Sequence, residues 1–270
     1  MWLVHLLGAG LGRLTYLLSP TYRRHLRENL AQAGFAPQLR GAVAAAAGRQ
    51  ALELAPIWLK PLEKVTPRVV AVSGWEIVEA ARQLGKGIVF LTPHLGCFEI
   101  TAQYYAAHAP ITVLYRPPKR AFLHQLIETG RRRENLHLAP ADVSGVRSLV
   151  KALKRGQAVG LLPDQAPKVG EGVWLDFFGK PAYTMTLAAR LTETGATTIF
   201  AWAERLSGGR GYHLRLRRAT SELEGDTVAR ARQINSEIEA LVRECPTQYL
   251  WGYNRYKRPA GAEPPPEGKS

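Results

Sequence analysis

After Pro61, short apolar runs alternate with stretches of helical periodicity, and nothing else in the 270 residues restricts the fold so tightly. "RVVAVSG" gives way to "WEIVEAARQLG", "GIVFLTP" to "FEITAQYYAAH", and "ITVLYR" to "FLHQLIETGRRREN". The helical "GVRSLVKALKRG" then leads into the strand "AVGLLP". "TLAARLTETG", "TTIFAWAERL" and "GYHLRLRRA" follow, before a long helix expected from about Thr227 to Arg243. Strands that return after each helix run in one direction, so the pattern predicts an α/β fold. Its central sheet is mixed, largely parallel, and flanked by helices. The last two strands, joined across "SGGRG", predict an antiparallel hairpin at one edge of that sheet. No linker and no repeat interrupts residues 61–258, which predicts a single domain.

A helical region, residues 1–60, precedes the alternating part. Leu3, Leu6, Leu7, Leu11, Leu14, Leu17 and Leu18 form a helical stripe interrupted by His5 and Arg13. The stretch is at the short limit for a membrane span and lacks a signal peptide's basic n-region and Ala-x-Ala site. One reading is a helix packed on the core. The other is an interfacial or marginally spanning anchor, favoured by the flanking Trp2, Arg13, Tyr16, Arg23, Arg24 and Arg27. Ser19-Pro20 reads as a cap and first-turn proline opening a second helix that Gly34 ends, and a third is expected over about 37–59. The Pro/Gly-rich residues 259–270 read as a disordered tail.

Lys and Arg number 36 against 22 Asp and Glu, a net charge of +14 that favours acidic partners. The basic residues are not interleaved with any recognisable nucleic-acid module, which leaves a basic binding protein as the weaker, non-enzymatic reading. Cys97 and Cys245 make neither a disulfide framework nor a CxxC motif.

"TPHLGCFE", residues 92–99, follows the apolar "GIVFL" and places an imidazole and a carboxylate where a packed core has no use for them. Sites in open α/β sheets form just beyond the carboxyl ends of strands. Gly96 permits a tight turn, and Glu99 is expected in the first turn of the next helix, where the helix dipole favours an anion. An offset of five residues is about 140° around an ideal helix. His94 can therefore meet Glu99 only from the loop, folding back onto the carboxylate. So held, it is a general base with a fixed tautomer. The competing readings are a structural buried histidine, a zinc ligand without partners at ligand spacing, and a Cys97–His94 nucleophile. Asp164 and Gln165 close the apolar "AVGLLPDQ" in the same topological position as His94. Arg116 closes "ITVLYR", and Arg131, Arg132 and Arg133 follow Gly130.

"HLGCFE", "YRP", "GRRREN", "VRSLVKALKRG", "LLPDQAPKVGEGVWLDFFGKPAYT" and "QYLWGYNRYKRP", in that order, resemble the lipid A late (secondary) acyltransferases. These belong to the lysophospholipid acyltransferase superfamily with its His-x4-Asp/Glu motif. The resemblance covers nearly the whole chain. It implies catalytic roles for His94, Glu99, Arg131 and Asp164, with Glu99 orienting the imidazole and Asp164 ordering the arginine or its loop. Arg131 is then the oxyanion stabiliser or an acceptor-phosphate ligand. Arg116, Lys119, Arg120, Arg133 and Gln165 are the candidate substrate-binding residues. The chain departs from the family at Cys97-Phe98, where Asn-Trp is common, which weakens the idea of a cysteine nucleophile. The resemblance further implies an acyl carrier protein donor, a lipid A precursor or related glycolipid acceptor, and the cytoplasmic face of the inner membrane. It implies no metal and no cofactor beyond the donor's phosphopantetheine. A lysophospholipid is the alternative acceptor.

Overall fold

Two four-residue runs without a single polar side chain make the middle of the sheet. In the computed structural model, which describes residues 1–116, 130, 131 and 133–266, every residue of β2 (Ile88–Leu91) and β5 (Ala158–Leu161) is buried. Continuous burial is what a strand covered on both faces requires. Seven strands pair in the order β1-β9-β8-β2-β5-β3-β4. The outer members are β1 (Val69–Ser73), β3 (Ile111–Tyr115), β4 (Leu136–Pro140), β8 (Thr197–Arg205) and β9 (Tyr212–Arg217). All neighbours are parallel except β8 and β9. The fold is thus a single α/β domain with a mostly parallel, mixed sheet.

The β8–β9 hairpin forms as expected but does not lie at the edge. β1 pairs parallel with its outer side, covering the unpaired N–H and C=O groups that an edge strand would present. Two elements gave no sequence signal that was read. One is β4. The other is a separate antiparallel hairpin of β6 (Gly172–Phe177) and β7 (Lys180–Met185). Its two-residue turn is Phe178-Gly179, both at positive φ (49° and 69°), instead of the usual Asn-Gly. The turn is stabilised from outside, because the Phe178 amide donates to Glu239 at 2.7 Å.

Alternation along the central strands sorts two cores onto the two faces. Val89, Leu91, Val159 and Leu161 face α2 (Pro20–Gln32), α7 (Val143–Lys154) and α9 (Thr227–Glu244), with the β6–β7 hairpin and α8 (Leu187–Thr192) alongside. Ile88, Phe90 and Ala158 face α5 (Trp75–Leu84) and α6 (Phe98–Ala106). The remaining helices are α1 (Trp2–Leu18), α3 (Arg40–Leu59), which gives Val43 and Ala44 to the first core and Ile57 to the second, and the short α4 (Leu62–Val65).

Helix α1 lies against α3 at backbone distance. A Cβ on Gly12 would stand 1.9 Å from the Ala44 carbonyl oxygen, and one on Gly48 the same distance from that of Gly8. This contact places the small face of α1 inward and leaves Trp2, Leu6, Leu7, Leu17 and Leu18 exposed, each by more than half. No helix among the described residues is long and apolar enough to cross a membrane, so a spanning role for α1 finds no support. The tail expected to be disordered begins as irregular but packed chain. Ala262 is buried, and the Glu263 carbonyl accepts from Trp174 Nε1 at 3.0 Å.

Candidate active site

Strand register brings the first pair of groups together. Leu91 of β2 stands opposite Leu161 of β5, and each strand continues into the same punctuation, Thr92-Pro93-His94 and Leu162-Pro163-Asp164. Proline cannot donate to a ladder and ends both strands at the same level. His94 and Asp164 therefore face each other across adjacent strand ends. Asp164 Oδ1 lies 2.8 Å from His94 Nδ1, and Oδ2 accepts from the His94 backbone amide at 2.9 Å. Asp164 is buried while the imidazole keeps partial exposure. Burial alone would push the Asp164 carboxyl up; the charge of His94 and its hydrogen bonds outweigh this and hold it below the usual range.

In the neutral form of the imidazole, the Asp164 anion fixes the proton on Nδ1 and leaves Nε2 a lone pair. Gln165 Nε2 is 3.1 Å from that nitrogen, the geometry of an amide donor resting on the acceptor. An imidazole held at one nitrogen by a buried carboxylate and open at the other is arranged as a general base.

Glu99 does not reach His94, which corrects the pairing expected from the sequence. The turn does form as expected: Gly96 takes φ +62°, a Cβ there would lie 2.0 Å from the Ala203 oxygen, and Glu99 falls in the first turn of α6. The carboxylate then points to the other side. Arg131 grips it with two donors, Nε to Oε2 at 3.0 Å and Nη2 to Oε1, and Trp58 Nε1 donates to Oε2 at 3.0 Å. The Arg131 guanidinium also lies over the Trp58 ring, 5.5 Å from its centroid. The geometric reason is the half-turn between loop and helix: His94 leaves the strand towards β5, whereas Glu99, already helical, projects towards the end of α3. Asp164, expected to order the arginine or its loop, instead orders the histidine.

Phe98 joins the two pairs. Its ring packs on His94 with centroids 4.8 Å apart, and it lines a cavity together with Glu99 and Arg131. The rest of that cavity is mostly apolar, including Trp75, Phe90, Val113 and Leu216, with Thr92, Thr101 and Gln103 as further polar members. A concave site that is mostly apolar and polar at a few points is the usual form of a small-molecule site.

The other expected binding residues separate. Gln165 is in the site. Arg133 does not line the cavity: Nη2 donates to the carbonyls of Ile57 and Lys60 at 3.2 and 3.0 Å and to Gln103 Oε1 at 3.2 Å, so the guanidinium caps the C-terminus of α3, where a cation is favoured. Arg116 stands exposed at the end of β3. Lys119 and Arg120, and most of the helix expected around "FLHQLIETG", lie outside the described residues. Cys97 is buried, and desolvation raises its thiol well above the ordinary range, which suits packing and not nucleophilic attack.

Sequence reading missed the groups that hold the two loops. Trp58 had no signal beyond being aromatic at a helix end. The closing "QYLWGYNRYKRP" was visible as a motif without a role, and its role is structural support. The Gly96 amide donates to the Gln248 carbonyl at 3.1 Å, the Leu250 amide to that of His94 at 3.1 Å, and the Ala166 amide to the Tyr253 hydroxyl at 3.1 Å. Both loops thus hang on one segment.

The chain matches the family model described as bacterial lipid A biosynthesis acyltransferase over residues 3–258. It is 27% identical to the lipid A biosynthesis lauroyltransferase of Escherichia coli over 220 residues, 79% of this chain and 70% of that protein. Against the palmitoleoyltransferase of the same organism the identity is 28% over 222 residues, again 79% and 70%. The E. coli lipid A biosynthesis myristoyltransferase is 25% identical over 202 residues, 73% of this chain and 62% of that relative.

Proposed function

Because the chain belongs to the bacterial lipid A biosynthesis acyltransferase family and is an acyltransferase of lipid A biosynthesis, we propose that it moves a fatty acyl group from an acyl carrier protein thioester to a hydroxyl of a lipid A precursor, with His94 as general base. One observation carries the mechanism: the buried Asp164 takes Nδ1 of His94 and leaves Nε2 to a substrate. The acceptor hydroxyl, on an acyl chain already present on the glucosamine disaccharide, displaces the Gln165 amide and gives its proton to Nε2 as its oxygen attacks the thioester carbonyl. The C–S bond then breaks, and the imidazolium returns the proton to the departing phosphopantetheine thiolate. A thioester is already activated, so no acyl-enzyme is needed, in keeping with the buried, protonated Cys97.

Arg131, fixed by Glu99 and Trp58 at the cavity mouth, is the donor available to the oxyanion. Its Nε and Nη2 are engaged by Glu99, so Nη1 is the group it offers. The apolar cavity beyond takes the acyl chain. The net charge of +14 supports an acidic carrier protein as donor, with exposed Arg116 on the same side of the sheet. The outward leucines of α1 support an interfacial position on the inner membrane. Each leucine that leaves water for hydrocarbon contributes about 1.5–3 kcal/mol. Removing residues 1–18 should release folded protein from membranes; a truncated protein that still sediments with them after a high-salt wash puts the attachment elsewhere.

The decisive test is mass spectrometry of a lipid A precursor incubated with acyl carrier protein thioesters and His94 or Asp164 variants. His94→Ala should lower turnover by roughly 10²–10⁴. Asp164→Asn should also cost activity, since the amide no longer fixes the proton on Nδ1 as the carboxylate does. Full activity in His94→Ala, or transfer only to lysophospholipid, would overturn the assignment.

A further inference from the structure

One cross-strand row on the α5–α6 face of the sheet contains a gap. Read from β8 to β4, the aligned residues are Ile199, Phe90, Gly160, Val113 and Leu138. Four of the five carry branched or aromatic side chains. The fifth, in the centre of a fully buried strand, carries none.

Backbone geometry does not call for glycine there. Gly160 is absent from the positions at positive φ, and it pairs in register with both neighbours. Glycine in a strand interior weakens the strand, and without a bulge or turn it marks a place where something approaches the backbone closely. What lies over Gly160 is the cavity, which Phe90, Gly160, Val113 and Ile111 help to line. A Cβ on Gly160 would stand 3.2 Å from Val113 Cγ1 and 3.6 Å from Ile111 Cδ1. One carbon there already presses on the wall, and a branched side chain has only the cavity to enter.

We infer that Gly160 is a specificity-determining residue: the notch it leaves between Phe90 and Val113 sets the length of acyl chain the cavity accepts. The inference rests on the reading of this cavity as the acyl site. A saturated chain is a flexible rod of methylenes, and its fit is decided by where the wall closes. Phe90 and Val113 close the wall on either side; Gly160 opens it between them. A side chain at 160 would remove space without touching His94, Asp164, Glu99 or Arg131, so it would change which donor is used and not whether transfer occurs.

The test is a competition among acyl carrier protein thioesters of increasing even chain length on one lipid A precursor, read by the mass of the product. Gly160→Val should lower kcat/KM for the wild type's preferred donor about tenfold or more, while a donor shorter by a few carbons keeps its rate to within about threefold. Gly160→Ala should shift the profile the same way by less. Val113→Ala, which enlarges the notch from its other side, should shift it towards longer donors and serves as the independent variant if Gly160→Val does not fold. If wild type acylates no precursor with any donor, the reading of the site has failed. If wild type is active and Gly160→Ala and Val113→Ala both keep its length profile, the role of Gly160 is overturned.

Discussion

Among the described residues, the Glu53–Arg205 and Glu99–Arg131 pairs are joined in the same way, and the second of them borders a cavity. Glu53 of α3 and Arg205 of β8 are both buried, and Arg205 donates to Glu53 through Nε at 2.7 Å and through Nη2. Tyr212 adds its hydroxyl at 3.0 Å, and His5 Nε2 lies 3.2 Å away. Every direction around that carboxylate is filled by protein. Glu99 and Arg131 make the same two-pronged contact, but the arginine is 20% exposed and both line the cavity. The chemistry of the pairs is alike and the surroundings differ. A pair with all its donors and acceptors consumed internally holds elements together, here α1, α3 and the β8–β9 hairpin. A pair with one edge on a cavity has a group left to act on a ligand.

The same substitution at the two arginines should separate these roles. Lysine keeps the charge but cannot give two parallel hydrogen bonds. Arg131→Lys should reduce turnover by roughly 10²–10³, the usual cost of losing an oxyanion donor, with thermal unfolding nearly unchanged because water can reach the cavity mouth. Arg205→Lys should do the reverse. It leaves the Glu53 carboxylate short of a donor in a closed interior, at about 1–3 kcal/mol, and the unfolding midpoint should fall by several degrees. The folded fraction should keep turnover to within a few-fold. A midpoint that falls equally in both variants, or a dead but stable Arg205→Lys enzyme, would erase the distinction.

Much of the fold was legible because the apolar runs are unambiguous: β2 and β5 have no polar residue to compete with burial, and Ser19-Pro20 caps α2 as its chemistry demands, with Ser19 accepting from the Tyr22 amide at 3.3 Å. The site was legible as a set of residues but not as a set of pairs. His94 and Glu99 are neighbours in sequence, and proximity along the chain suggested a dyad. The partner of His94 lies 70 residues away, fixed by strand register. The repeated punctuation of Leu-Thr-Pro-His and Leu-Leu-Pro-Asp was the available clue, since it marks two strand ends cut at one level. Arg133 could not be separated from Arg131 by sequence, because both follow Gly130 and only the position of the α3 C-terminus distinguishes them. The Phe178-Gly179 turn was hidden for a related reason: its stability comes from Glu239, far along the chain.

Acid provides the finer test of the closed pair. Burial alone would raise the Glu53 carboxyl; the Arg205 guanidinium, its hydrogen bonds and those of His5 reverse this and bring it from 4.5 down to about 2. A carboxyl whose folded pKa is depressed stabilises the protein fully above its unfolded value and loses that contribution as pH falls through the folded one. The window is therefore pH 4.5 down to about 2. A shift of this size corresponds to on the order of 3 kcal/mol at neutral pH, of which about 2 kcal/mol is gone by pH 3. Asp164, whose carboxyl is also held low, loses stability with the same sign, so the wild-type curve alone cannot isolate Glu53. The Glu53→Gln variant can, because it has no carboxyl at that position and retains Asp164. It should be less stable than wild type at pH 7, and the gap between the two denaturation midpoints should narrow steadily from pH 4.5 to pH 3. A gap that stays constant over that range would mean that the charge of Glu53 contributes nothing beyond its shape, and the closed pair would then be a matter of packing alone.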